Sequence, residues 1–282
     1  MADLTLITRF LEAYPRLVVV TGAGISAASG IPTYRDAAGN WLRAQPIQHR
    51  EFVTDEQQRK RYWARSISGW PAVRDARPNQ AHFALSELER QGRVELLITQ
   101  NVDRLHQRAG SRRVTDLHGR LDQVQCLGCA SRYSRESIQQ QLLGDNPHIR
   151  PGAGTTLPDG DADVAAHLLD GLKVPACKNC GGILKPDVVF FGDNVPSQKV
   201  ERCMAALERA DALLAAGSSL QVWSGFRFCK RAADLGRPLM IINPGQTRAD
   251  SLATVKVRAE CGPLLHDAAG ILQNRRGAAL PL

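Results

Sequence analysis

Long apolar runs are missing from this 282-residue chain, and no window approaches the ~20 apolar residues of a membrane helix. Aromatic residues make up only 5%, few for the stacking platforms of a nucleic-acid face. The formal charge of +8 therefore reads as an Arg-rich solvated surface that favours anionic ligands in general. The opening stretch MADLTLITRFLEAYPR lacks a long apolar core and a small-residue cleavage site, and Asp3 and Glu12 do not suit an acid-poor presequence. A cytoplasmic protein is expected, without membrane or nucleic-acid partners; nothing bears on oligomeric state. Repeats and low-complexity tracts are absent. Seven cysteines, an odd number without a secretory signal, argue against a disulfide framework.

What is present fits a soluble globular chain. Short apolar runs at 17–21 (LVVVT), 94–99 (VELLIT), 212–217 (ALLAAG) and 238–243 (PLMIIN) read as buried parallel strands. Helical spacing covers 4–14, 82–92 and 200–210 between them. This alternation predicts an α/β fold with a Rossmann-type doubly wound parallel sheet, its ligands lying beyond the carboxyl ends of the strands. Composition shifts between about 120 and 186, where four cysteines and a stretch rich in Gly, Pro and Asp (142–164) suggest a small inserted zinc-binding module with a long surface loop. The expected division is a Rossmann-type domain from 1–119 and 187–282, with the module at 120–186.

Cys126, Cys129, Cys177 and Cys180 form C-x-x-C twice. Four thiolates close a tetrahedral Zn²⁺ site with no position left for catalysis, so the ion is expected to be structural. Gly128, Gly181 and Gly182 supply the permissive turns such pairs need. Cys203 and Cys229 read as core residues.

Gly22, Gly24 and Ala27 match G-x-G-x-x-G/A after the first strand, a turn that brings backbone and a helix N-terminus to a pyrophosphate. Pro32 follows too soon for a full crossover helix, so 30–65 is read as a loop and helix covering the cofactor. Gln100, Asn101 and Asp103 leave the VELLIT strand where amides and a carboxylate can hold a carboxamide or ribose hydroxyls, although Asn101 or Asp103 would equally serve as a helix N-cap. His118, in DLHGR, is the best-placed general base by type, against an ordinary structural role. Ser218 and Ser219 in GSSLQV, and Asn243 in NPG, offer further partners for phosphate or ribose.

In this order, GAGISAASGIP-x-Y-R, TQNVD, LHG, the paired C-x-x-C, KPDVVFFGD, GSSLQV and NPG resemble the sirtuins, NAD-dependent protein lysine deacylases, from about 17 to 265. Tyr34, where many sirtuins have Phe, together with YWAR at 62–65, is similar to the class II branch that includes the mitochondrial lipoamidase and ADP-ribosyltransferase sirtuin. The resemblance implies that NAD is consumed as cosubstrate. The acyl oxygen of an acyl-lysine protein attacks the nicotinamide ribose carbon, nicotinamide leaves, and an imidate goes on to free lysine and O-acyl-ADP-ribose. It implies His118 as the base and Asn101 as the residue orienting the ribose and a water. NAD would be held by Gly22, Ala23, Gly24, Ile25 and Ser26, then Pro32, Tyr34 and Arg35. The remaining contacts would come from Gln100 to Asp103 with Val102, from Gly217, Ser218 and Ser219, and from Asn243, Pro244, Gly245 and Cys261. Val188, Val189 and Phe190 would line the lysine channel. Tyr62 and Arg65 match a Y-x-x-R spacing that binds acyl carboxylates, so acidic acyl groups are expected to be preferred over acetyl, with lipoyl or biotinyl as the rival class; both residues could equally be packing and surface positions of an amphipathic helix. Protein ADP-ribosylation is the nearest alternative activity. On residues alone, a hydride-transferring Rossmann oxidoreductase and a zinc-ribbon binding module for nucleic acid also remain open. The first leaves His118, TQNVD and the cysteines unexplained, and the second predicts steep salt dependence.

Overall fold

The computed structural model describes residues 2–36, 42, 47–149, 169 and 171–278. Along the chain, β1 (Leu17–Thr21), β2 (Val94–Thr99) and β3 (Val114–Asp116) are followed by β4 (Gly119–Cys126), β5 (Arg132–Ser134) and β6 (Leu184–Val188), then by β7 (Ala212–Ala216), β8 (Leu239–Ile242) and β9 (Val255–Val257). The helices are α1 (Ala2–Ala13), α2 (His49–Thr54), α3 (Glu56–Asp75), α4 (Gln80–Arg90), α5 (Leu105–Arg108), α6 (Arg135–Asp145), α7 (Ser197–Arg209), α8 (Trp223–Asp234) and α9 (Cys261–Ala278).

Six strands form one parallel sheet in the order β3-β2-β1-β7-β8-β9. Successive side chains of a strand point to opposite faces, so a sheet covered on both sides needs apolar residues at every position. Leu17 and Val19 accordingly enter a core with α1, α4 and α9, while Val18 and Val20 enter a second core with α7 and α8. Leu214 and Met240 join the first, Leu213 and Ile241 the second. This is why the strands read as unbroken apolar runs. The edge strands β3 and β9, only three residues each, carry no such run and are invisible to hydropathy.

Strand order reverses between β1 and β7, the switch point at whose carboxyl ends this architecture places its ligands. After β1 the chain makes a 3-10 turn, Ala23–Ser29, closed by Gly30 at φ 82°. This matches the short turn expected from Pro32. A seven-residue 3-10 turn carries too few aligned peptides for the expected helix-dipole contribution, so ligand contacts there fall to individual groups.

A second sheet, in the order β5-β4-β6, is antiparallel and packs with α6. Its core also takes Phe52, Tyr62, Trp63 and Ile67 from α2 and α3, beside Val124, Ile138, Leu142 and Leu184. The expected cover over 30–65 is thereby corrected for its helical part: the first half of α3 packs Tyr62, Trp63 and Ile67 into the small lobe, while Trp70 and Val73 pack with Ile31, Val102 and Leu105. Residues 37–41 and 43–46 of that segment lie outside the described residues, as does the long-loop reading of 142–164 for positions 150–164; 142–145 finish α6.

Candidate active site

A cavity of about 1260 Å³ fills the crevice at the carboxyl ends of β1, β2, β7 and β8. Its glycines serve the packing of the scaffold as much as a ligand. A Cβ at Gly22 would lie 2.7 Å from Ser218 Oγ, and one at Gly24 would lie 2.8 Å from the Gly217 carbonyl. The loops after β1 and β7 therefore nest backbone to backbone.

Beneath that turn runs a buried polar network. Ser26 donates its hydroxyl to Asp103 Oδ2 at 2.7 Å, and Asn101 Nδ2 donates to Ser26 Oγ at 3.0 Å and to the Gly22 carbonyl at 3.1 Å. Asp103 also accepts the Leu105 backbone N–H at 2.9 Å; burial raises its pKa, against the hydrogen bonds from Leu105 and Ser26. The Asn79 backbone N–H donates to His82 Nδ1 at 3.2 Å. A neutral ring then carries its proton on Nε2, which points to Ser26 Oγ at 3.5 Å. His106 packs against His82 with ring centroids 4.8 Å apart and bonds Thr21 Oγ1 through Nε2 at 3.0 Å. Burial pushes His82 down to about 4 and His106 well below the ordinary histidine range, so both rings are neutral.

His118 lines the same cavity, two residues after β3. Its Nδ1 lies 3.0 Å from the Gln100 carbonyl and its Nε2 2.7 Å from Ser224 Oγ. A carbonyl only accepts, so Nδ1 carries the proton and Nε2 presents a lone pair. Burial lowers its pKa to about 4, the Gln100 carbonyl opposes the shift, and Lys199 and Arg227 add to it. The ring is a base that needs no deprotonation at neutral pH.

The fold gathers most of the expected residues around this cavity. Gly22 to Ser26, Tyr34 and Arg35 line it, with Gln100 to Asp103, Gly217 to Ser219, Asn243 to Gly245 and Cys261. Val188, Val189 and Phe190 line it as an apolar strip beside His118, whose carbonyl accepts the Val189 backbone N–H at 2.8 Å. Two of the polar residues are turned to internal duty: Ser218 Oγ accepts from Gln100 Nε2 at 2.8 Å, and Asn243 Nδ2 donates to the Gly245 carbonyl at 3.0 Å. Pro32 does not line the cavity; its effect is to end the turn before it. Tyr62 and Arg65 do not line it either. Tyr62 is 5% exposed and sits behind Phe190, ring centroids 5.4 Å apart, among Phe52 and Trp63. The carboxylate clamp expected of this pair finds no support in the lining of the cavity, because the face of α3 that bears Tyr62 packs against Phe190 from behind.

Sequence reading missed His82, Ser224 and Arg227. His82 lies in the first turn of α4, and its inward aim depends on the packing of that helix. Ser224 and Arg227 follow GSSLQV closely, yet no spacing rule singles them out.

At the far side of the small lobe, the four expected cysteines converge, all Sγ atoms lying within 4.8 Å of one another. Cys126 and Cys180 are 3.5 Å apart, as are Cys129 and Cys177. Tetrahedral Zn–S bonds of about 2.3 Å give S–S edges of about 3.8 Å, so the cluster fits Zn²⁺. A Cβ at Gly182 would lie 3.0 Å from Cys126 Sγ, which explains a glycine there. None of the four lines the cavity.

The Sir2 family model matches residues 22–224. A protein of Xanthomonas campestris pv. campestris (strain 8004) named NAD-dependent protein deacetylase is 53% identical over 256 residues, covering 91% of this chain and 87% of its own length. The Drosophila melanogaster NAD-dependent protein deacylase Sirt4 is 44% identical over 266 residues, covering 93% and 85%. Among solved structures, a mutant Sir2 homologue in complex with ADP-ribose superposes with a TM-score of 0.77 at 31% identity, covering 98% of this chain and 99% of that one. A Sir2–p53 peptide–NAD⁺ structure gives 0.75 at 28%, with the same coverage. The chain belongs to the Sir2 family, the sirtuins.

Proposed function

We propose that this sirtuin is an NAD-consuming protein lysine deacylase, moving the acyl group of acyl-lysine to ADP-ribose with release of nicotinamide. The observation that carries this reading is a neutral imidazole, His118, protonated at Nδ1 and lining a cavity shared by amide, carboxylate and hydroxyl groups and by the apolar residues Val188 to Phe190. NAD, when bound, would supply a ribose carbon whose bond to nicotinamide is exchanged for one to the acyl oxygen, with nicotinamide released free. The protein's groups bind, orient and move protons around that event.

Asp103 and Ser26, locked to each other, present fixed polar atoms where a carboxamide would be read, and Asn101 is held against the same pair. Arg35 would supply positive charge for phosphate, and Ser219 and the NPG turn, which line the same cavity, would meet the adenosine end. Val188 and Phe190 suit the alkyl stem of lysine, which loses hydration without needing polar partners. After nicotinamide has left, His118 takes a ribose hydroxyl proton at Nε2, while Nδ1 keeps its own proton, donated to the Gln100 carbonyl. The cysteines would hold Zn²⁺ as a structural ion that fixes β4 and β6, and thus the wall that follows β6. Among the described residues no helix is long and apolar enough to cross a membrane, and we assign the enzyme to the cytoplasm.

The test is incubation with NAD and a panel of acyl-lysine peptides, following nicotinamide and O-acyl-ADP-ribose. Acyl-dependent release of nicotinamide is expected, and His118→Tyr is expected to abolish turnover with zinc content intact, a loss of about 10²-fold or more for a general base. Absence of nicotinamide release with every peptide would sink the reading, and label passing from NAD to protein would replace it with ADP-ribosylation.

A further inference from the structure

We propose that Ser224 is a positioning residue for the base, holding the Nε2 lone pair of His118 on the line that a ribose hydroxyl will take. The inference rests on His118 acting as that base.

His118 is pinned at both ends of its ring, by the Gln100 carbonyl at Nδ1 and by Ser224 Oγ at Nε2. With the proton on Nδ1, the Ser224 hydroxyl must donate, and 2.7 Å is the short end of hydrogen-bond range. One tether alone would leave the imidazole free to pivot about the Nδ1 contact, whereas two on opposite corners define both its plane and the direction of the lone pair.

The second tether is built into the start of α8. Ser224 is 9% exposed in the first turn of that helix, and Gly225 follows it. A Cβ at Gly225 would stand 2.5 Å from Gln100 Oε1. The glycine thus lets the Gln100 side chain lie against the turn that carries Ser224. Gln100 is held there by its own bond to Ser218 Oγ. The first turn of α8 therefore approaches both the residue that holds Nδ1 and the atom Nε2, and the separation of the two tethers is set by one rigid contact.

The charged groups that bear on the ring among the described residues are Lys199 from α7 and Arg227 from α8, both cations. Neither can accept the proton that Nε2 gains, and both disfavour its arrival. A donated hydroxyl keeps the ring neutral and aimed until substrate comes. The arriving ribose hydroxyl then replaces the Ser224 hydroxyl at Nε2, an exchange of like for like that costs no reorganisation of the imidazole.

The experiment compares Ser224→Ala and Ser224→Thr with the wild-type enzyme, using an acetyl-lysine peptide and NAD across about pH 4 to 9. It follows kcat and KM, and in parallel the exchange of labelled nicotinamide into NAD, which reports the step before the base acts. Expected for Ser224→Ala is a loss of about tenfold in kcat, the scale of one hydrogen bond, with KM for NAD within about twofold. Nicotinamide exchange is retained, and the acid limb of the profile moves to higher pH because a donor favouring the neutral ring is gone. Ser224→Thr restores kcat to within about threefold by returning the hydroxyl. The assignment is overturned if Ser224→Ala matches wild type in kcat and pH profile. It is also overturned if exchange and turnover fall in the same proportion with a lowered melting temperature, the mark of a packing role, or if the Thr variant fails to rescue. A wild-type enzyme that releases no nicotinamide sinks the deacylase reading, and this assignment with it; an active wild type with an indistinguishable Ser224→Ala sinks this assignment alone.

Discussion

Gly24 and Gly217 face each other so closely that a side-chain carbon on Gly24 would lie 2.8 Å from the Gly217 carbonyl oxygen. Gly217 itself adopts φ 61°, in the left-handed region that glycine enters without cost. The turn after β1 and the turn after β7 are thus one contact, placed where the strand order reverses. Gly24→Ala must push these two turns apart, and overpacking of this kind costs about 1–3 kcal/mol. Thermal denaturation should show the loss of stability, and NAD should bind more weakly because both turns line the cavity. Unchanged NAD affinity in the folded variant would mean that the contact is not part of the binding frame.

Removing zinc should act on the small lobe first. Thiolate ligation contributes folding energy to that lobe directly, while the six-stranded sheet owes nothing to it. Cys177→Ser or a chelator should release the metal and abolish turnover, because Val188 to Phe190 continue from β6 and lose their support. Hydrogen exchange is expected to rise in β4, β5 and β6 while β1, β2, β7 and β8 stay protected. Uniform loss of protection across both sheets would refute this order.

Stability should fall on the acid side. His82 has a folded pKa near 4 against an unfolded value of about 6.5, and His106 shifts the same way. Between those values the unfolded chain takes up protons that the folded chain refuses. The stabilisation is therefore full above about pH 6.5 and is withdrawn as pH falls toward 4. At pH 5, His82 alone should remove roughly 2 kcal/mol. Urea unfolding at pH 7 and pH 5 measures this, and a flat response would mean that the buried pair protonates in place.

Arg65→Met should leave the ranking of acyl substrates unchanged, whatever it does to stability. The Y-x-x-R spacing suggested a carboxylate clamp, but Tyr62 is packed behind Phe190 and Arg65 is not at the cavity. A selective loss of acidic acyl substrates in a panel assay would restore the clamp and require the wall at Phe190 to open.

Much of this was legible from residue order. Unbroken apolar runs marked β1, β2, β7 and β8 because a sheet covered on both faces leaves no position for polar side chains. The paired C-x-x-C marked the metal cluster because chelation needs short, fixed spacing. His118 was legible by residue type and motif. The edge strands β3 and β9 were not, since three-residue pairings carry no hydropathy signal. The placement of α3 was misjudged because an amphipathic stripe says that a helix face is buried without saying against what.

Residue order thus settled the class of fold, the cysteine cluster and the loops that would meet at a ligand, all consequences of local spacing and periodicity. Only the tertiary structure decided which partner each polar side chain met. His118 is given its proton position by Gln100, eighteen residues earlier in the chain, and its aim by Ser224, more than a hundred residues later. Ser26 meets His82 and Asp103 across similar gaps. Such pairings follow from the closing of one sheet around its switch point, where distant segments come within hydrogen-bond reach, and no spacing along the chain encodes them.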